Sequence, residues 1–332
     1  MQAKQIVLAN RPEGLPKEDN FKLEQINLPD LEEGQVLLEP QYFSVDPYMR
    51  GRMNESKIPG AAFELNEPLI GAVVAKVTES KNDKLTVGSM VSGNLPWATK
   101  IIDNGNQLQK IDTTAIPASA YLGLLGMPGL TGYFGLLNIG KPKSGETVVI
   151  SGAAGAIGTV IGQIAKLKGC YVVGLAGSDD KVKLLKEELG YDEVINYKTQ
   201  DIQEALKAAC PNGVDVYFDN VGGKISDAVI QQLNLYARVA VCGQISTYNN
   251  IDDKQSSVDL LPLILNRSII VQGYHLPNYK EQFPEAIAQL SAWFKEGKIK
   301  NKETIVDGFD KLPEAFLGLF SGKNEGKMLV KA

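Results

Sequence analysis

A chain of 332 residues, 44% hydrophobic and 22% charged, is long enough for two domains with large cores and is not a globally disordered sequence. Its net charge of -5, with lysines scattered among acids as in KVKLLKEELG (181–190), offers no basic face for nucleic acid, and no run of about 18 apolar residues suggests a membrane span. Three separated cysteines (Cys170, Cys210, Cys242) and a single histidine (His275) fit neither a disulfide framework nor a metal-ligand spacing. The N-terminal MQAKQIVLAN lacks the basic and apolar regions of a signal peptide, so free thiols and a cytoplasmic setting are expected.

Residues 1–120 read as short strands broken by turn residues, among them KQIVLA, GQVLLEP, LIGAVVAKVTES and GSMVSG, which predicts a β-rich domain. From about residue 144 the rhythm changes to alternating strands and helices. ETVVIS, CYVVGLAG, DEVINY, VDVYFDNVGG, RVAVCGQIS and SIIVQGY are the strands; helices are expected after the first glycine turn, at SDDKVKLLKEELG, and near 199–210 and 224–234. This alternation calls for a doubly wound parallel sheet, whose ligands lie at the carboxyl ends of the strands. After the helical FPEAIAQLSAWFKEGKIK no further βα unit follows, so the tail is expected to return to the first domain. The expected boundaries are 1–122 with 295–332 for the β-rich domain and 123–294 for the α/β domain.

SGAAGAIGTV (151–160) holds an AxGxxG pattern between a strand and a helix, with Ala153 where the first glycine of a dinucleotide fingerprint usually stands. In Ala154-Gly155-Ala156-Ile157-Gly158, Gly155 allows backbone approach to a pyrophosphate and Gly158 allows close helix–strand packing, while the helix amino end supplies free N–H donors. A glycine-rich turn without a ligand is the competing reading. The second strand ends in small neutral residues, including Gly177 and Ser178, where an acid would bind the ribose of NAD. Asp179 could be that acid or could charge the first helical turn. Lys181 and Tyr197 suit a 2′-phosphate, which favours NADP. Asn220 and Val221 end the fourth strand in FDNVGG, and Cys242, Gly243, Ile245, Ser246 and Tyr248 follow the fifth in CGQISTY, a neutral polar set suited to a nicotinamide ribose and carboxamide.

With VDPYMRGRM (45–53), LLGMPGLTGYFGLL (124–137), AAGAIG, FDNVGG, CGQISTYN and GKNEGKMLVK (322–331), the chain resembles, nearly end to end, the zinc-free medium-chain dehydrogenase/reductases. Within them it is most similar to the leukotriene B4 12-hydroxydehydrogenase/prostaglandin reductase group, which includes plant double-bond reductases and curcumin-reductase-like proteins. The resemblance implies an α/β fold in which a doubly wound parallel Rossmann sheet is inserted in a discontinuous β-rich GroES-like domain. It implies NADPH as cofactor, with the family's phosphate contacts on Lys181 and Tyr197. Further cofactor contacts fall on Asn220, Cys242 to Tyr248, Gly273, Tyr274, His275 and Asn324, and a homodimer is expected.

The implied reaction is reduction of a carbon–carbon double bond conjugated to a carbonyl, with hydride going to the β-carbon and charge developing on the carbonyl oxygen. Such a site needs a hydrogen-bond donor at that oxygen and no metal. Tyr248 is the leading donor and Tyr48, in DPYMR, the second; each has a competing reading as a lining or packing residue. Met127, Pro128 and Thr131 are placed near the nicotinamide end, and loops near 50–67 and 245–280 are expected to shape the substrate pocket. Rival readings are a quinone reductase and an NADPH-binding sensor without catalysis.

Overall fold

Runs of apolar and β-branched residues cut by glycine turns build the first of two units, Met1–Leu122 with Thr304–Lys323 and Met328–Ala332, in the computed structural model. The structure describes residues 1–249 and 258–332. Strands β1 (Gln2–Leu8) and β2 (Phe21–Asn27) pair antiparallel as a ribbon. A larger sheet contains β3 (Val36–Ser44), β4 (Ile70–Ser80), β5 (Met90–Pro96), β6 (Ile101–Asp103) and β7 (Gln109–Lys110). Two late strands, Glu303–Asp307 and Lys327–Lys331, complete it beside β3. Phe43 and Phe316 are wholly buried in its core, each contributing roughly 1.5–3 kcal/mol by transfer from water.

The single turn α1 (Met49–Arg52) follows β3. Arg50 is buried there: Nε and Nη2 donate to the Gly14 carbonyl at 3.2 and 2.8 Å, and Nη1 donates to Asn54 Oδ1 at 2.6 Å. These bonds pin the loop that presents Tyr48.

The second unit, Gly123–Glu303 with Asn324–Lys327, carries a parallel sheet of β8 (Thr147–Ser151), β9 (Tyr171–Ala176), β10 (Glu193–Asn196), β11 (Val214–Asp219), β12 (Leu233–Val241) and β13 (Ile270–Gly273). Their order is β10-β9-β8-β11-β12-β13, the doubly wound arrangement, with the direction of winding reversing between β8 and β11. Every residue of β8 is buried, as expected of a central parallel strand covered on both faces. The helices are α2 (Met127–Phe134), α3 (Gly158–Leu167), α4 (Asp179–Lys183), α5 (Ile202–Ala209), α6 (Gly223–Gln231), α7 (Leu260–Arg267) and α8 (Phe283–Lys295). The chain then returns to the first unit, where α9 (Leu312–Ser321) packs.

Local chemistry adjusts several expected boundaries. α5 begins at Ile202 because the Asp201 carboxylate caps it, accepting the Gln203 and Glu204 N–H groups at 3.0 Å each. α6 ends at Gln231 because Leu233 already pairs with Val214 in the sheet. β12 stops at Val241: the Asp219 carbonyl accepts the N–H groups of Cys242 and Gly243 at 2.8 and 3.1 Å, turning Cys242–Tyr248 into a loop.

Candidate active site

The glycine turn after β8 opens α3. Gly152 holds its left-handed position (φ +60°), and the Ala153 N–H donates to Leu175 at 3.1 Å. Among the described residues, the N–H groups of Ala156, Ile157 and Gly158 have no acceptor, while those of Gly155 and Thr159 are used at 3.0 Å. Three free donors at the positive end of a ten-residue helix make an anion site. A β-carbon on Gly158 would stand 2.3 Å from the Ala153 carbonyl oxygen, so the helix start and the turn are in direct contact. Gly158→Ala is therefore expected to cost about 2 kcal/mol or more of stability, read from urea unfolding.

At the end of β9, Ser178 caps α4 by accepting the Lys181 N–H at 3.4 Å. Asp179 accepts from Asn196 Nδ2 at 2.7 Å, which occupies one oxygen of the carboxylate considered for ribose binding. Lys181 and Tyr197 are half-buried, and burial lowers the pKa of the first and raises that of the second. A β-carbon on Gly177 would lie 2.6 Å from the Tyr197 hydroxyl and 3.3 Å from Lys198 Cε. Gly177, Lys181, Tyr197 and Lys198 thus gather two ammonium groups and a phenol at one strand end.

β11 ends on Asp219, a buried carboxylate that organises the next loop. Its Oδ1 accepts from Ser151 Oγ (3.0 Å), the Tyr217 hydroxyl (2.9 Å) and the Val221 and Gly222 N–H groups (3.0 Å each), while Ser226 donates to its other oxygen. Asn220 is tied to β8, its N–H donating to Ser151 Oγ at 2.9 Å and Nδ2 to the Ser151 carbonyl at 2.8 Å. The Cys242–Tyr248 loop is laced to the same segment: the Ser246 N–H and Oγ both donate to the Val221 carbonyl, at 3.1 and 2.6 Å. Ile245 follows the same path, its N–H reaching the Asn220 carbonyl at 3.5 Å.

Tyr248 closes that loop. Its hydroxyl oxygen accepts the Gln244 N–H at 3.4 Å, and among the described residues its own proton has no acceptor. Burial raises its pKa, keeping the phenol neutral. In the first unit Tyr48 is 36% exposed, yet desolvation pushes its phenol up to about 12, with the Asp46 carboxylate acting in the same direction. Burial likewise pushes the Cys242 thiol up to about 11, so it is a poor nucleophile.

Gly273 ends β13 opposite Val241. The Tyr274 hydroxyl turns inward and donates to the Thr131 carbonyl of α2 at 2.8 Å, and His275 is exposed. Met127 and Pro128 start α2, the former 39% exposed and the latter buried. Asn324 Nδ2 donates to the Gly326 carbonyl at 2.8 Å, and the Gly326 N–H donates to Ala154 at the glycine turn, also at 2.8 Å. Of the expected substrate loops, residues 250–257 lie outside the described residues.

Sequence reasoning missed three residues of this region. Asp219 stood inside a quoted motif, and an acid closing the apolar run VDVYFD was the available signal. Lys198 was visible only as the neighbour of Tyr197. Glu325, whose charge acts on Lys181, had no local signal.

Two family models match the chain: "N-terminal domain of oxidoreductase" over residues 4–111 and "Zinc-binding dehydrogenase" over residues 156–292. Mouse prostaglandin reductase 1 is 44% identical, covering 100% of both chains. The chain belongs to the zinc-independent medium-chain dehydrogenase/reductase family, in its prostaglandin and alkenal reductase group. A tobacco NADP(+)-dependent 2-alkenal reductase is 42% identical over 98% of this chain and 96% of its own length. The crystal structure of CurA from Vibrio vulnificus in complex with NADPH superposes with a TM-score of 0.94 at 41% identity, covering 99% of each chain. Although the second model's description mentions zinc, no group of three or more His, Cys, Asp or Glu among the described residues could hold a metal ion.

Proposed function

We propose that this medium-chain reductase reduces the carbon–carbon double bond of α,β-unsaturated ketones and aldehydes with NADPH. The observation that carries the reading is the Tyr248 phenol, neutral and uncommitted as a donor among the described residues, at the carboxyl end of the sheet. The names of the mouse and tobacco relatives and the NADPH bound to the Vibrio structure support the substrate class and the cofactor.

The residues present fit that cofactor. The free N–H groups of Ala156, Ile157 and Gly158 suit a pyrophosphate, and Lys181, Tyr197 and Lys198 suit a 2′-phosphate. Gly177 and Ser178 border the adenosine end. Met127, Pro128, Thr131, Asn220, Val221, Cys242 to Tyr248, Gly273, Tyr274, His275 and Asn324 are assigned to the rest. The Tyr274 side chain is committed to Thr131, so its contribution is a backbone one. Bound NADPH supplies the hydride. Tyr248 donates a hydrogen bond to the substrate carbonyl oxygen as it gains charge, and its high pKa makes it a hydrogen-bond donor rather than a full proton donor. The α-carbon takes its proton from water. Tyr48 is the second candidate donor, and the two domains accordingly divide into a catalytic β-rich part and a cofactor-binding part.

A homodimer is part of the proposal. Among the described residues the outer edge of β13 has no partner strand, and Ile270 of β13 (55%) and Leu261 (75%) and Leu265 (79%) of α7 are exposed. Light scattering should give twice the chain mass, falling to one chain mass in Ile270→Lys.

Following NADPH oxidation with parallel sets of alkenals, alkenones, quinones and saturated ketones tests the activity. Turnover of the conjugated enals and enones, with saturated ketones inert, is expected. Quinone-only turnover would replace the proposal with a quinone reductase, and NADPH binding without any turnover would point to a non-catalytic protein.

A further inference from the structure

The lysine assigned to the 2′-phosphate already has an acid beside it. Asn324–Lys327 leaves the first unit's part of the chain and lies along the glycine turn as a strap. Gly155 and Gly326 form a parallel bridge, the Gly326 N–H donates to the Ala154 carbonyl at 2.8 Å, and the Lys327 N–H donates to Lys302 at 2.9 Å. Gly326 is left-handed (φ +68°), and a β-carbon there would stand 2.0 Å from the Lys302 carbonyl oxygen, so the strap's course is set by glycine and by backbone bonds on both sides. This fixed course holds the half-buried Glu325 next to Gly326 at the glycine turn, within electrostatic reach of Lys181. Glu325 supports the charged form of Lys181 against burial, whereas Lys198 opposes it.

We propose that Glu325 is a specificity-determining residue that competes with the cofactor 2′-phosphate for Lys181, holding NADPH affinity below what the two lysines alone would give. The inference rests on the reading of Lys181 as the 2′-phosphate residue. A half-buried ammonium is favoured by a nearby counter-charge, and Glu325 contributes one. An arriving phosphate must displace that carboxylate from Lys181, and this penalty falls on NADPH and not on NADH, whose ribose is uncharged. The acid thus narrows the discrimination between the two cofactors.

A double-mutant cycle tests this by binding alone. Dissociation constants for NADPH and NADH are measured by nucleotide fluorescence in the wild type, Glu325→Gln, Lys181→Ala and the double variant, with thermal unfolding to confirm that each is folded. Glu325→Gln should tighten NADPH about three- to tenfold, the range of a partly screened charge pair, and change NADH less than about twofold. In the Lys181→Ala background the same substitution should leave NADPH binding within about twofold. Glu325→Ala should reproduce the effect of the glutamine. An unchanged NADPH constant in Glu325→Gln, with selective loss of NADPH in Lys181→Ala, would overturn the role of Glu325 while leaving the phosphate assignment intact. An undiminished effect of Glu325→Gln without Lys181 would overturn the competition, the acid then acting as a general repulsive charge. Equal losses of both cofactors in Lys181→Ala would remove the underlying 2′-phosphate reading, and the inference with it.

Discussion

Tyr248→Phe should lower turnover of a conjugated enone tenfold or more, with NADPH affinity within about twofold of the wild type. A hydrogen bond to a charged acceptor contributes about 1.5–3 kcal/mol, which is roughly 10- to 100-fold in rate when the charge appears only in the transition state. The substitution is clean in this fold. The loop is held by main-chain and Ser246 bonds to Asn220 and Val221, so its course does not depend on the phenol, which receives only the Gln244 N–H at 3.4 Å. The loss should therefore appear in kcat rather than in KM, the signature of an interaction made in the transition state. Unchanged turnover would remove Tyr248 from the mechanism and pass the role to Tyr48. Because burial raises the pKa of both phenols, turnover should not decline through the deprotonation of either one as pH rises to about 10, the ordinary range for tyrosine.

Lys181→Ala should weaken NADPH about 10- to 100-fold and NADH less than about twofold. The same charge-assisted bond, about 1.5–3 kcal/mol, sets the scale, and Lys198 nearby keeps the loss from being larger. Ser178 caps α4 through the main-chain N–H of residue 181, a bond that alanine preserves, so the helix start survives the change. Selectivity between the two cofactors, read from fluorescence titration, separates a phosphate contact from a general structural defect.

The alternation of strands and helices from residue 144 onward was legible because buried parallel strands are continuous apolar runs and because Ser178 and Asp201 mark the starts of α4 and α5. Ala153 was the ambiguous point of the glycine turn. The structure resolves it by placing the left-handed residue at Gly152, so that Ala153 adopts an ordinary conformation and its missing glycine costs nothing. Tyr197 could be picked out because it directly follows β10, and Lys181 because it lies in the first turn of the helix after β9. Asp219 could not, since its importance comes from Ser151, Tyr217 and Ser226 converging on one buried carboxylate. Glu325 was beyond reach: 144 positions separate it from Lys181 in the numbering, and only the strap's bonds to Ala154 and Lys302 bring them together. Tyr274 shows the converse, a residue picked for the cofactor whose hydroxyl instead braces α2.

Reduction of the carbon–carbon double bond is tested by following the hydride itself. NADPH deuterated at the transferring position of the nicotinamide is incubated with an alkenone, and the product is analysed by nuclear magnetic resonance. A saturated ketone carrying deuterium at the β-carbon, with the carbonyl intact, is expected; deuterium on the carbonyl carbon of an unsaturated alcohol would contradict reduction of the carbon–carbon double bond.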